Sequence, residues 1–160
     1  MRRTKSKELM TSNEKTEITS TADQIAELAA NGGYKDVVDA MIERGAKNFD
    51  QIAVRAAEGG HIEIVDSMIE RGAKNFDQIA CVAAHGGHIA IVDAMIERGA
   101  KNFDQIAVRA AEGGQMAIVD LMVKRGAGNL YEIISTVAMK ALWRFFTRIW
   151  SGRFFLEEDA

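Results

Sequence analysis

From Phe49 onward the apolar side chains fall at Phe49, Ile52, Ala53, Ala56 and Ala57, the i, i+3, i+4, i+7, i+8 stripe of an amphipathic helix. Asn48 stands at the N-cap position, and Asp50 puts negative charge in the first turn, where the helix dipole favours it. Gly59 and Gly60 then supply a left-handed stop and a tight turn. A second stripe follows at Ile62, Val65, Met68 and Ile69, with Asp66 and Glu70 on the other side. Arg71 closes this helix and Gly72 ends it. The pattern predicts a hairpin of two short helices.

The same pattern returns. Gly45, Gly72, Gly99 and Gly126 recur at a spacing of 27 residues. Segments 45–71 and 72–98 share 22 of 27 residues, and 45–71 and 99–125 share 21 of 27. A divergent copy occupies 18–44, and a partial fifth begins at Gly126 with Leu130 in the phenylalanine position. A single hairpin of this size cannot bury its own apolar face, so neighbouring copies must stack to complete a core. The alanine pairs let adjacent first helices approach closely, and Ile, Val, Met and Phe fill the layers between them. Leucine-rich repeats have similar periods but need a leucine-studded strand. Only Leu28, Leu121 and Leu130 fall within 21–134, which excludes that architecture.

Residues 59–73 (GGHIEIVDSMIERGA) and 86–100 (GGHIAIVDAMIERGA) resemble the second helix of the ankyrin repeat, which opens Gly-His and ends before Gly-Ala. The pairs Ala56-Ala57 and Ala83-Ala84 match the family's alanine pair on the first helix. The resemblance covers 21–134. It implies an all-α, ankyrin-like solenoid of helical hairpins and a role as an adaptor that binds proteins. The sequence departs from the family in length, being about six residues short of the usual 33. It also has Gln51-Ile52-Ala53-Val54 where the family carries Thr-Pro-Leu-His. The missing residues imply reduced or absent β-hairpin fingers, so the inner-helix face must carry more of the binding. Shortened repeats of this style resemble those of ankyrin proteins of giant DNA viruses.

The near-identical copies serve as an internal alignment. Exchanges gather at 54/81/108 (Val, Cys, Val), 55/82/109 (Arg, Val, Arg), 58/85/112 (Glu, His, Glu) and 61/88/115 (His, His, Gln). The middle two sets are expected on the exposed side and end of the first helix. Arg55, Glu58, Val82, His85, Arg109 and Glu112 are therefore the candidate contact strip; neutral drift on solvated positions is the competing explanation. Exchanges at Glu63/Ala90/Ala117 and Ser67/Ala94/Leu121 are expected on the convex back or at layer contacts. Asp50, Asp77 and Asp104 are expected to form a solvated ladder of like charges.

Composition narrows the function. A formal net charge of -3 argues against a nucleic-acid binder. The single cysteine, Cys81, cannot form an internal disulfide and reads as a small buried side chain at a valine position. The start of the chain lacks the apolar core of a secretory signal, and no apolar run reaches the ~18 residues of a membrane span. These features point to an intracellular, cytoplasmic setting, in the host cell for a viral protein. His85-Gly-Gly-His88 has the outline of a metal clip but no completing ligand, and His61 and His88 occupy the ankyrin Gly-His position, where a structural hydrogen bond is the rule. No catalytic constellation emerges, so neither an enzyme nor a cofactor is expected.

The ends differ from the middle. Residues 1–20 are polar and expected as a disordered or partly ordered arm, with Ser20 or Thr21 capping the first helix. Residues 135–160 are expected as a cap helix and tail. Trp143, Phe146 and Trp150 lie on its apolar side and Arg144 and Arg148 on its basic side, a composition that also suits partner docking or a membrane surface. The sequence thus implies a protein-binding module. Its alternatives are a peripheral membrane or partner-docked protein held by the C-terminal helix, and a self-assembling structural module.

Overall fold

The computed structural model describes residues 12–129, 131–140 and 142. The described residues form helices and turns with no strand. The helices are α1 (Ser12–Asn31), α2 (Lys35–Glu43), α3 (Phe49–Glu58), α4 (Ile62–Glu70), α5 (Phe76–Gly86), α6 (Ile89–Glu97), α7 (Phe103–Gly113) and α8 (Met116–Lys124). A further helical stretch, α9, covers 131–140. Each 27-residue copy is thus a first helix and a second helix joined by the glycine pair.

Within a copy the two helices pack on each other: α1 on α2, α3 on α4, α5 on α6 and α7 on α8. Between copies the first helices carry the stacking, α1 on α3, α3 on α5 and α5 on α7, and the second helices meet one another far less. The reason lies in side-chain size. Ala56, Ala57, Ala83, Ala84 and Ala110 are fully buried, and such small residues permit interaxial distances of ~8 to 10 Å. Ile52, Ile79 and Ile106 are buried completely beside them, each contributing roughly 2 to 3 kcal/mol of transfer free energy. Phe49, Phe76 and Phe103 are half-buried and pack against this core.

The second helix buries a wider arc than its i, i+3 stripe implies. Ile64, Ile91 and Ile118 are buried along with Met68, Met95 and Met122, and each second helix packs on the first helix of its own copy. Of the exchangeable positions on this helix, Glu63, Ala90 and Ala117 are exposed, while Ala94 and Leu121 pack partly against the core.

Three ladders of hydrogen bonds tie one copy to the next. The first corrects the expectation of a solvated carboxylate row. Asp50 Oδ1 accepts the backbone N–H groups of Lys74 and Asn75 at 2.7 and 3.0 Å. Asp77 does the same for Lys101 and Asn102 at 2.8 and 2.9 Å. Asp104 holds Gly128 and Asn129 at 2.7 and 2.8 Å, and Asp23 holds Lys47 and Asn48 at 2.7 and 3.0 Å. Each carboxylate staples the next turn, satisfying donors that open the following helix.

The second ladder runs along the second helices. Arg71 pairs with Asp39 at 3.2 Å, Arg98 with Asp66 at 2.8 Å and Arg125 with Asp93 at 2.9 Å. In the third, His61 Nε2 donates to the Asn31 carbonyl at 3.1 Å and His88 Nε2 to the Glu58 carbonyl at 3.2 Å, which fixes the proton on Nε2. At the third site Gln115 turns instead to the Gly113 carbonyl of its own copy, at 3.4 Å.

Two local expectations are revised. α1 begins at Ser12, well before Ser20 or Thr21, and the Thr21 hydroxyl donates to the Glu17 carbonyl within the helix at 2.9 Å. Its opening stretch is rich in Glu, Lys and Thr and has little apolar periodicity, so the stripe does not reveal it. Asn48 and Asn75 occupy N-cap positions without capping through their side chains. Their side-chain amides turn elsewhere, Asn48 Nδ2 donating to Glu27 at 3.4 Å and Asn75 Nδ2 to Gln78 at 2.6 Å. Only Asn102, among α2 to α8, makes the side-chain cap, accepting from Gln105 N.

Candidate protein-binding surface

The first helices present one outward row per helical position. Arg55 and Glu58 lie one turn apart on α3 and pair at 2.9 Å; Arg109 and Glu112 repeat the pair on α7 at 2.8 Å. Such exposed pairs are worth less than about 1 kcal/mol, so a partner's charges can displace them at small cost. Between them, α5 offers half-buried Val82 and exposed His85. An open depression of about 370 Å³ brings Glu58, Val82, His85 and Arg109 together with the edge of Cys81. The neighbouring set 54/81/108 points inward: Val54, Cys81 and Val108 are buried.

The row extends further than the comparison of 45–125 reveals. Leu28 on α1 stands in register with Arg55, Val82 and Arg109, and it is 77% exposed. A second depression, of about 560 Å³, joins Leu28, Glu27 and Asn31 to Arg55 and Glu58. Asn31 Nδ2 also donates to Glu58 at 3.2 Å, linking α1 to α3. Carrying the 27-residue register back into 18–44 identifies Leu28 directly; the divergence of that copy hides it.

His85 and His88 are separated by role. His85 stays on the outward face, while His88 is held on the Glu58 carbonyl. Among the described residues no three His, Cys, Asp or Glu side chains gather as metal ligands. Burial pushes the Cys81 thiol up to about 11, with Arg109 pulling slightly the other way and Asp77 adding to the rise. The folded pKa lies above the ordinary value of 9.0, so this contribution to stability is intact below pH 9.0 and lost as pH rises toward 11. Alkylation of the folded chain is therefore expected to stay slow through neutral pH and to climb near pH 11, whereas the urea-unfolded chain titrates near 9.0. Fast iodoacetamide labelling of the native protein at pH 7.5 would contradict this.

Trp143, Arg144, Phe146, Arg148 and Trp150 lie outside the described residues. Among the described residues no helix is long and apolar enough to cross a membrane. The part of the C-terminal region that is described leaves Ile134 and Leu142 exposed at 64% each, while Ile133 is buried and Ala127 joins the core. α9 thus takes the place of a first helix in a fifth layer.

No protein-family model matches the chain, and no curated protein matches it.

Proposed function

We propose that this chain is a shortened ankyrin-type solenoid that recognises a protein partner non-covalently through the outward row of its first helices, without cofactor or catalysis. The observation that carries this reading is a contrast inside the repeats. Buried positions hold nearly constant side chains, whereas one exposed row exchanges Leu, Arg and Val at one level and Asn, Glu and His at the next. Stacked repeats present such a row as a continuous surface, and arginine is favoured where binding energy concentrates. The depressions along this row add the concavity a partner's side chains need.

The test is affinity capture from a cell lysate with wild type and an Arg55→Glu/Arg109→Glu variant. A specific protein retained by wild type and lost with the variant is the expected result, with unchanged helical circular dichroism and melting. The same proteins captured by both would make the row ordinary surface and remove this reading.

A second reading has its own observation. The outer side of α9 carries Ile134 and Met139, and helical Leu142 continues it, all exposed. That composition favours attachment of the chain to a partner groove or a lipid surface by its C-terminal helix. Co-flotation with anionic vesicles, retained in the double variant, would favour this reading over the first.

A further inference from the structure

The outward row changes in charge along its length. At its N-terminal end two depressions run together between α1 and α3, sharing Gln24 and Glu27. Among the described residues their walls carry three carboxylates, Asp23, Glu27 and Glu58, against one guanidinium, Arg55. Asp23 is engaged with two backbone N–H groups, and Glu58 is shared between Arg55 and Asn31. Among the described residues Glu27 meets only the Asn48 amide, at 3.4 Å, which leaves acceptor capacity toward the groove. Lys47 lends its backbone N–H to Asp23, and its side chain does not line the groove. Beside this surplus of negative charge stands exposed Leu28. Around Val82, by contrast, the lining holds one carboxylate, Glu58, and one guanidinium, Arg109, each already paired along its own helix.

Resting on the protein-binding reading above, we infer that the groove between α1 and α3 takes a peptide segment in which basic side chains flank an apolar one. The apolar side chain covers Leu28. A Lys or Arg on one side meets Glu27, and a second is drawn toward Asp23 or Glu58. The segment continues in neutral or apolar residues over Val82, where no net charge is offered. An acidic segment in the same place would meet like charge on three sides. Complementarity of this kind, at solvent-accessible carboxylates, sets orientation and association rate and weakens with salt.

The test selects ligands from a display library of random 12-residue peptides against the full chain, then measures synthetic hits by fluorescence anisotropy. Enriched sequences are expected to carry Lys or Arg on both sides of Leu, Ile, Met or Phe. Their affinity should fall about tenfold with Glu27→Lys and with Leu28→Asp, and also on raising salt from about 50 to about 300 mM. Leu28 is exposed and Glu27 half-buried; if Glu27→Lys fails to fold by circular dichroism, Glu27→Gln provides the same comparison with a several-fold loss. Enrichment of acidic or uncharged peptides, or no enrichment at all, overturns the assignment. Hits indifferent to Glu27 and Leu28 but lost with Arg55→Glu/Arg109→Glu overturn it too, while leaving recognition by the first-helix row standing. Hits indifferent to all four positions overturn both.

Discussion

Gly59→Ala will destabilise the protein by about 3 kcal/mol, although local backbone preference alone argues for the opposite sign. Gly59 lies at the end of α3 with φ -80° and ψ -7°, a right-handed conformation that alanine adopts readily. In such a position alanine normally gains up to about 1 kcal/mol over glycine. The obstacle is the neighbouring layer. A Cβ at Gly59 collides with the backbone carbonyl oxygen of Asn31 and comes within 2.7 Å of the His61 ring. That carbonyl is also the acceptor for His61 Nε2, so relief of the clash separates α1 from α3 and breaks the bond together. Gly128 provides the control. It has nothing within 4 Å of its ideal Cβ, so Gly128→Ala is expected to change stability by less than about 0.5 kcal/mol. Urea titration followed by helical circular dichroism measures both, and a neutral Gly59→Ala would show that the first-helix contact is looser than described.

Asp77→Ala is the second large effect, at about 2 to 3 kcal/mol. Its Oδ1 receives two backbone N–H groups from the turn that opens α7, and hydrogen bonds to a charged acceptor are worth about 1.5 to 3 kcal/mol each. Lys101 and Asn102 are exposed, so water replaces part of what is lost and the two contributions do not simply add. Asp77→Asn keeps an oxygen in place without the charge and should lose only about 1 kcal/mol. Because the staple joins the middle of the array, the alanine variant should also broaden the urea transition as the two halves uncouple. An Asp77→Ala protein melting within error of wild type would return this carboxylate to the solvated ladder read from sequence.

That ladder shows what periodicity can and cannot reveal. The stripes at Phe49, Ile52, Ala53, Ala56 and Ala57 identify the buried side of each first helix, because burial is a property of side chains and side chains are what a sequence states. The partners of Asp50, Asp77 and Asp104 are backbone N–H groups, which no pattern of residue types displays, so three like charges at a fixed spacing look like plain surface. Ile64 is hidden for a related reason. The stripe marks Val65, Met68 and Ile69, and the arc buried on the second helix reaches one residue further, to Ile64. Leu28 was legible in principle, since it sits in strict register with Arg55, but the surrounding divergence of its copy obscures the comparison. The early start of α1 rests on helix-forming polar residues with no stripe to announce them.

The Asp staple also gives the array a direction. Each unit offers a carboxylate to its successor and a turn of backbone donors to its predecessor, so units join like links with unlike ends. Whole 27-residue units are therefore interchangeable cassettes: duplication or loss of one between 45 and 125 preserves every staple, whereas a break inside a unit destroys one. In the fifth unit Tyr131 stands where Asp23, Asp50, Asp77 and Asp104 stand in theirs. Helical residues also run on at 140 and 142, where the earlier copies turn at their glycine pair. By this coupling the chain can lengthen from within, while Tyr131 offers no carboxylate to a further unit.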